Sequence, residues 1–184
     1  MVIINTKYQH LMMDTKLPCN NNIVLIGFMG SGKSSIGLAL AKSIDYTFID
    51  SDTFITQQKK MTIPQIFQYY GEEYFRKLES NFILQHQNIK QTVIATGGGM
   101  PIFNDVKKLG YVFFLKATFK TIYNRIHSSQ DRPLFKDKKA LYQLFIKRQD
   151  IYRTKSNFII DTEKGIQNSI NQIREKIKNL SPDT

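Results

Sequence analysis

Eight consecutive residues, Gly27-Phe28-Met29-Gly30-Ser31-Gly32-Lys33-Ser34, fit the spacing G-x-x-x-x-G-K-[ST] in full. Such a stretch binds phosphate because backbone N–H groups, left free in a tight turn and at a helix start, converge on phosphate oxygens. Lys33 is placed to reach the β and γ phosphates of a nucleotide, and the Ser34 hydroxyl to ligate Mg²⁺. Further along, Asp50-Ser51-Asp52 follows a short apolar run. In a strand, residues i and i+2 point the same way, which would bring both carboxylates into one site. The same acids also suit a helix N-cap with an acidic first turn. Gly97-Gly98-Gly99 reads either as a backbone-lined wall against a ligand or as a mobile turn. Arg76 fits a helix surface as well as a site. Arg132, just before Pro133, fits a lid closing over a transferring phosphate or a solvated loop. His10, His86 and His127 share no metal or triad spacing and receive no role.

The elements that must hold these residues alternate in type. Ile23-Val24-Leu25-Ile26 is a continuous apolar run ending in glycine, as in a strand buried on both faces. Ser35 to Ile44 places Ile36, Leu40 and Ile44 on one helical face. Thr47-Phe48-Ile49 is a second strand. Thr62 to Asn88 is helical with an interruption at Gly71, and Pro64 is tolerated in its first turn. Tyr74, Leu78 and Phe82 form its apolar stripe. Thr92 to Ala95, Tyr111 to Leu115 and Phe158 to Ile160 supply three more strands. Helices are expected around Thr118 to His127, from Ala140 to about Arg153, and at the end, where Ile166, Ile170, Ile173, Ile177 and Leu180 recur. Alternating strands and helices predict an α/β sandwich with a mainly parallel sheet and right-handed crossovers. No repeat and no linker divides the chain.

Composition narrows the function classes. The 184 residues fit one domain, and the lone Cys19 suits a reducing compartment. No apolar run approaches the roughly 18 residues of a membrane span. Residues 1–22 have no periodic pattern and no secretory-signal layout. They read as a loose N-terminal extension, or in part as an over-called start ahead of Met12 and Met13. The net charge is +11, and between Arg132 and Lys155 eight Lys or Arg face only Asp137 and Asp150. Such a region suits anionic ligands or a solvated face.

Taken in order, GFMGSGKSS, FIDSD, GEEYFRKLE around Arg76, TGGG at 96–99, RPLF from Arg132 and KRQDIYR around Arg148 resemble the successive signatures of the shikimate kinase family. The likeness runs from about Ile23 to Lys178. It implies a three-layer P-loop NTPase sandwich, nucleoside-monophosphate-kinase-like, with a five-stranded parallel sheet. The single kinase domain would cover 23–180, with a substrate-binding helical region at about 53–89 and a lid at about 128–139. It further implies ATP and Mg²⁺, and phosphorylation of shikimate at its 3-hydroxyl in the pathway to aromatic amino acids. The expected setting is a cytoplasmic monomer that binds neither nucleic acid nor membrane.

By the same resemblance, Gly30, Ser31, Gly32, Lys33, Ser34 and Ser35 would hold the nucleotide phosphates, with Arg125 stacked on the adenine. Ser34 would ligate Mg²⁺ directly and Asp50 through water. Asp52 would hold a ring hydroxyl and take its proton. Arg76 and Arg148 would grip the carboxylate, the Gly98 and Gly99 backbone would complete the pocket, and Phe67 and Phe75 would wall the ring. Arg132 would swing in with the lid, and Lys33, Asp52 and Arg132 would carry the chemistry. The chain departs from the family pattern at Ser51, at Gln149-Asp150-Ile151, and at Glu163-Lys164-Gly165-Ile166, which has no proline. Asp150 sets a carboxylate beside Arg148 in sequence. A gluconate-type kinase and a basic nucleic-acid module are the competing readings. The arginine pair with the triple glycine argues against the first, and the absence of aromatic-basic patterning against the second.

Overall fold

The computed structural model describes residues 21–128 and 137–180. Five strands form one parallel sheet in the order β2-β3-β1-β4-β5. They are β1 (Ile23–Ile26), β2 (Thr47–Asp50), β3 (Thr92–Ala95), β4 (Tyr111–Lys116) and β5 (Phe158–Asp161). The helices are α1 (Lys33–Ile44), α2 (Ser51–Lys59), α3 (Ile63–His86), α4 (Met100–Phe103), α5 (Phe119–Ser128), α6 (Lys138–Lys155) and α7 (Ile166–Lys178), with a 3-10 turn at Val106–Leu109. β1 lies between β3 and β4, with Leu25 opposite both Ala95 and Phe113.

The pleat sorts side chains into two cores. Ile23 and Leu25 of β1, with Phe113 and Leu115 of β4, face α1 and α7 through Ile36, Leu40, Ile44, Ile170, Ile173 and Ile177. Val24 and Ile26, with Val112 and Phe114, face the other way, onto Phe82, Met100, Ile122, Leu141 and Tyr152. Because both faces are covered, the central strands are apolar throughout, with no inside-outside alternation. Ile166 is exposed, so the apolar repeat of α7 packs on the sheet from Ile170 to Ile177 and not at its first residue. Ile55, Ile66, Phe75 and Leu78 form a smaller cluster that ties α2 to α3.

Three helical features have local causes. α2 starts at Ser51 because the Asp50 side chain caps it, accepting from the N–H of Asp52 and of Thr53. α6 starts at Lys138 because Asp137 accepts from Lys139 N and Ala140 N. The interruption expected in α3 is real, as Gly71 has φ 79° and ψ 172° inside an otherwise helical run. A reciprocal capping box, Thr62 with Gln65, starts that helix. The expected extension falls largely on residues 1–20, and the lid with Arg132 on 129–136. Both lie outside the described residues.

Candidate active site

Parallel strands deliver their carboxyl ends to one edge of the sheet. A ligand crevice is expected there, beside the strand at which connections diverge. The loop after β1, the acids after β2 and the glycines after β3 all meet at that edge. They line a cavity of about 640 Å³ that includes Met29, Gly30, Lys33, Ser34, Asp50, Asp52, Gly98 and Arg125.

The phosphate half of the cavity follows from the loop's backbone. Gly30 and Gly32 have φ 76° and 96°, left-handed values that a Cβ would strain. α1 then opens with no side-chain cap and no acid in its first turn. α2, α3 and α6, by contrast, are each capped by a side chain. An uncapped helix start next to left-handed glycines leaves N–H groups and a positive dipole end for an anion. Lys33 Nζ curls over the loop and donates to the Gly27 and Phe28 carbonyls, 3.0 Å each. Ser31 and Ser35 belong to the same turn, Ser31 buried beneath it and Ser35 on the cavity wall. Arg125 donates to Gly30 O at 3.3 Å and to Thr162 O at 3.1 Å, joining the loop to the segment after β5.

The Ser34 hydroxyl donates to Asp50 Oδ2 at 2.6 Å, while Asp50 Oδ1 accepts from the start of α2. A hydroxyl and a single available carboxylate oxygen form a hard-oxygen donor pair. That suits Mg²⁺, which keeps most of its own waters. Asp52 also reaches the cavity, though not through strand alternation as anticipated. Asp50 ends β2 and Asp52 lies in the first turn of α2, so a helix start brings the two together. Asp50 thus caps α2 while both acids line the cavity.

Behind Asp52 and Gly98, outside the residues that line the cavity, lies an arginine cluster. A Cβ built on Gly97 would fall against the Asp52 carboxylate, and one on Gly99 would lie 2.6 Å from Arg76 Nη1. The triple glycine is thus a wall set close against two charged side chains. Arg76 donates through Nη1 to Glu79 Oε2 at 2.7 Å, and through Nε and Nη2 to Glu72 Oε1 at 3.1 and 2.7 Å. Its guanidinium also lies over the Phe103 ring, 4.2 Å from the centroid. Arg148 Nη1 approaches Gly98 O at 3.4 Å, and the Tyr152 hydroxyl donates to the same oxygen at 2.6 Å. Burial pushes the Tyr152 phenol up to about 12, so it is a donor throughout the physiological range. Asp150 makes no ion pair with Arg148 among the described residues, since positions two apart on a helix point to nearly opposite sides. Phe67 and Phe75 lie 4.9 Å apart between centroids, tilted by 38°, in the α2–α3 cluster, apart from the cavity lining.

The sequence alone assigns no role to Glu72, Glu79, Phe103 or Tyr152. The available signal was Glu79, a carboxylate three residues after Arg76 on the buried stripe of Phe75, Leu78 and Phe82. It is fully buried, and only its Oε2 is hydrogen-bonded among the described residues. Burial raises its carboxyl from 4.5 to about 7, against the opposing pull of Arg76. The folded protein therefore holds this proton more tightly than the unfolded chain does. Its contribution to stability is fully present below about pH 4.5 and is lost as pH rises through 7. Glu79→Gln is expected to remove that decline from a plot of unfolding midpoint against pH. Parallel curves for the two proteins would mean that Glu79 is ionised throughout.

The model of the shikimate kinase family matches residues 29–178. A shikimate kinase of Helicobacter hepaticus is 48% identical over 143 residues, 76% of this chain and 86% of that protein. Among solved structures, the shikimate kinase of Bacteroides thetaiotaomicron superposes with a TM-score of 0.78 at 28% identity, covering 86% of this chain and 98% of that one. The shikimate kinase of Acinetobacter baumannii in complex with shikimate gives 0.73 at 31%, covering 85% and 90%.

Proposed function

The chain belongs to the shikimate kinase family, and on that premise we propose that it moves the γ-phosphate of ATP onto the 3-hydroxyl of shikimate. The products are ADP and shikimate 3-phosphate, and the hydroxyl proton leaves to a base. The observation that carries this reading is the juxtaposition of an uncapped phosphate loop with Asp52 and a glycine-walled arginine cluster. A phosphate donor, a hydroxyl acceptor and a carboxylate anchor are thereby served side by side.

In this reading the loop N–H groups and Lys33 take the phosphates, Lys33 exchanging its two carbonyl partners for phosphate oxygens. Asp52 orients the reacting hydroxyl and accepts its proton. Arg76, Arg148 and the Gly98–Gly99 backbone hold the carboxylate end, Phe67 and Phe75 shape the ring side, and Arg125 holds the adenine side. The family likeness assigns Arg132 to the transferring phosphate. Ser34 and Asp50 would hold Mg²⁺, which would supply charge neutralisation. Phosphoryl transfer depends on positioning and charge neutralisation more than on covalent help, which matches a site rich in hydrogen-bond donors. No helix of the described residues is long and apolar enough to cross a membrane. The reading is that of a cytoplasmic monomer acting on a small molecule.

An acceptor panel tests this. With ATP and Mg²⁺, ADP release should rise at least tenfold over the acceptor-free rate with shikimate, and stay near that rate with gluconate. Stimulation by gluconate and not by shikimate would reverse the assignment.

A further inference from the structure

We propose that Glu72 is a built-in placeholder for the acceptor's carboxylate on Arg76, and that it sets the affinity for that acceptor. The inference rests on the assignment of Arg76 to the carboxylate end. A guanidinium accepts a carboxylate in fork geometry along either of two edges. One of these uses Nη1, which is committed to the buried Glu79 at 2.7 Å. The other is the Nε–Nη2 edge, where Glu72 Oε1 lies 3.1 and 2.7 Å from the two nitrogens. The faces are restricted as well, by Phe103 at 4.2 Å and by the Gly99 backbone. A second carboxylate that docks bidentately must therefore displace Glu72 or Glu79.

The two differ sharply in how easily they yield. The Glu79 side chain is 1% exposed, whereas that of Glu72 is 59% exposed and can return to water. Glu72 also has somewhere to go. Gly71 breaks α3, so Glu72 begins a fresh helical run, where unpaired N–H groups favour a negative charge. The neighbouring pair Glu73–Lys77 shows the contrast, both side chains being largely exposed and Glu73 pairing with Lys77 rather than with Arg76. Glu72 thus keeps Arg76 extended and charge-balanced until a better fork arrives. The cost is competition, because the apparent affinity is reduced by the fraction of molecules in which the edge is free.

Glu72→Gln removes the competitor's charge at constant size. Calorimetry should show the shikimate dissociation constant falling about two- to fivefold, the range expected for release of an exposed ion pair. The ATP dissociation constant should not move, KM for shikimate should fall in parallel, and kcat should stay within about twofold. Glu73→Gln makes the same charge change one residue away and should alter neither constant. In an Arg76→Met background the gain from Glu72→Gln should vanish. An unchanged or weakened shikimate affinity in Glu72→Gln, or an equal gain in Glu73→Gln, overturns the inference while leaving the enzyme's function standing. Wild-type protein that binds ATP but not shikimate would instead overturn the acceptor assignment, and the inference with it.

Discussion

Lys33→Met should leave the protein folded and lower kcat/KM by roughly 10³-fold, the scale of losing one preorganised donor to developing charge. The ammonium donates to two carbonyls of its own loop, at 3.0 Å each, and holds a position over the cavity from which phosphate oxygens can replace them. Methionine has nearly the same length, so the space stays filled while the charge and three donors disappear. The fold should survive because the loop is shaped mainly by its backbone. Ser31 N bonds to Phe28 O, Ile36 N bonds to Gly32 O, and β1 beneath is fully buried. Circular dichroism and the unfolding midpoint would show that survival, and ADP release would show the loss. A fall of less than tenfold would mean that the phosphates are held by the backbone alone.

Arg76→Lys is the second large effect. Lysine keeps the positive charge but replaces a planar fork with a point donor. It also cannot serve Glu72, Glu79 and a substrate carboxylate at once. Shikimate affinity is expected to weaken by about 30- to 100-fold, in line with loss of a charge-assisted bidentate pair. The ATP constant should change by less than about twofold, since Arg76 is not among the residues lining the phosphate cavity. Equal losses for both ligands would make Arg76 a structural residue of α3. A drop in unfolding midpoint should accompany the change, because Glu79 keeps its burial but loses its best partner.

The fold was legible because its signals are local and redundant. Ile23 to Ile26 is apolar without alternation because both faces of β1 are covered, and that pattern identifies a central parallel strand. Gly71 was visible as a helix break, and the break is present. The short α4 was not legible. Met100 and Pro101 carry no periodic pattern, and the turn arises from packing against α6 and α3. The start of α2 was legible only as one of two alternatives for Asp50 and Asp52. Asp50 serves two purposes, capping a helix with one oxygen and meeting Ser34 with the other, and spacing alone does not reveal a shared residue.

The candidate site divides along the same line. The phosphate loop is contiguous in sequence, so its residues, its left-handed glycines and its helix start could all be read together. The arginine cluster is assembled from α3, the glycine wall, α4 and α6, and its partners are revealed by proximity. Nothing in the sequence sets Phe103 over Arg76 or Tyr152 beneath Gly98. The proximity of Asp150 to Arg148 in sequence suggested a conflict that the helix removes by pointing them apart. Glu79 lay hidden within an apolar stripe, where a buried carboxylate is uncommon enough to prompt a search for its partner.

The most direct test of the central claim is the identity of the phosphorylated product. After incubation with ATP, Mg²⁺ and shikimate, phosphorus–proton correlation NMR should show one new phosphate monoester coupled to the proton at carbon 3, formed in equal amount to ADP. Phosphate recovered only as inorganic phosphate, or attached at another hydroxyl, would contradict the account.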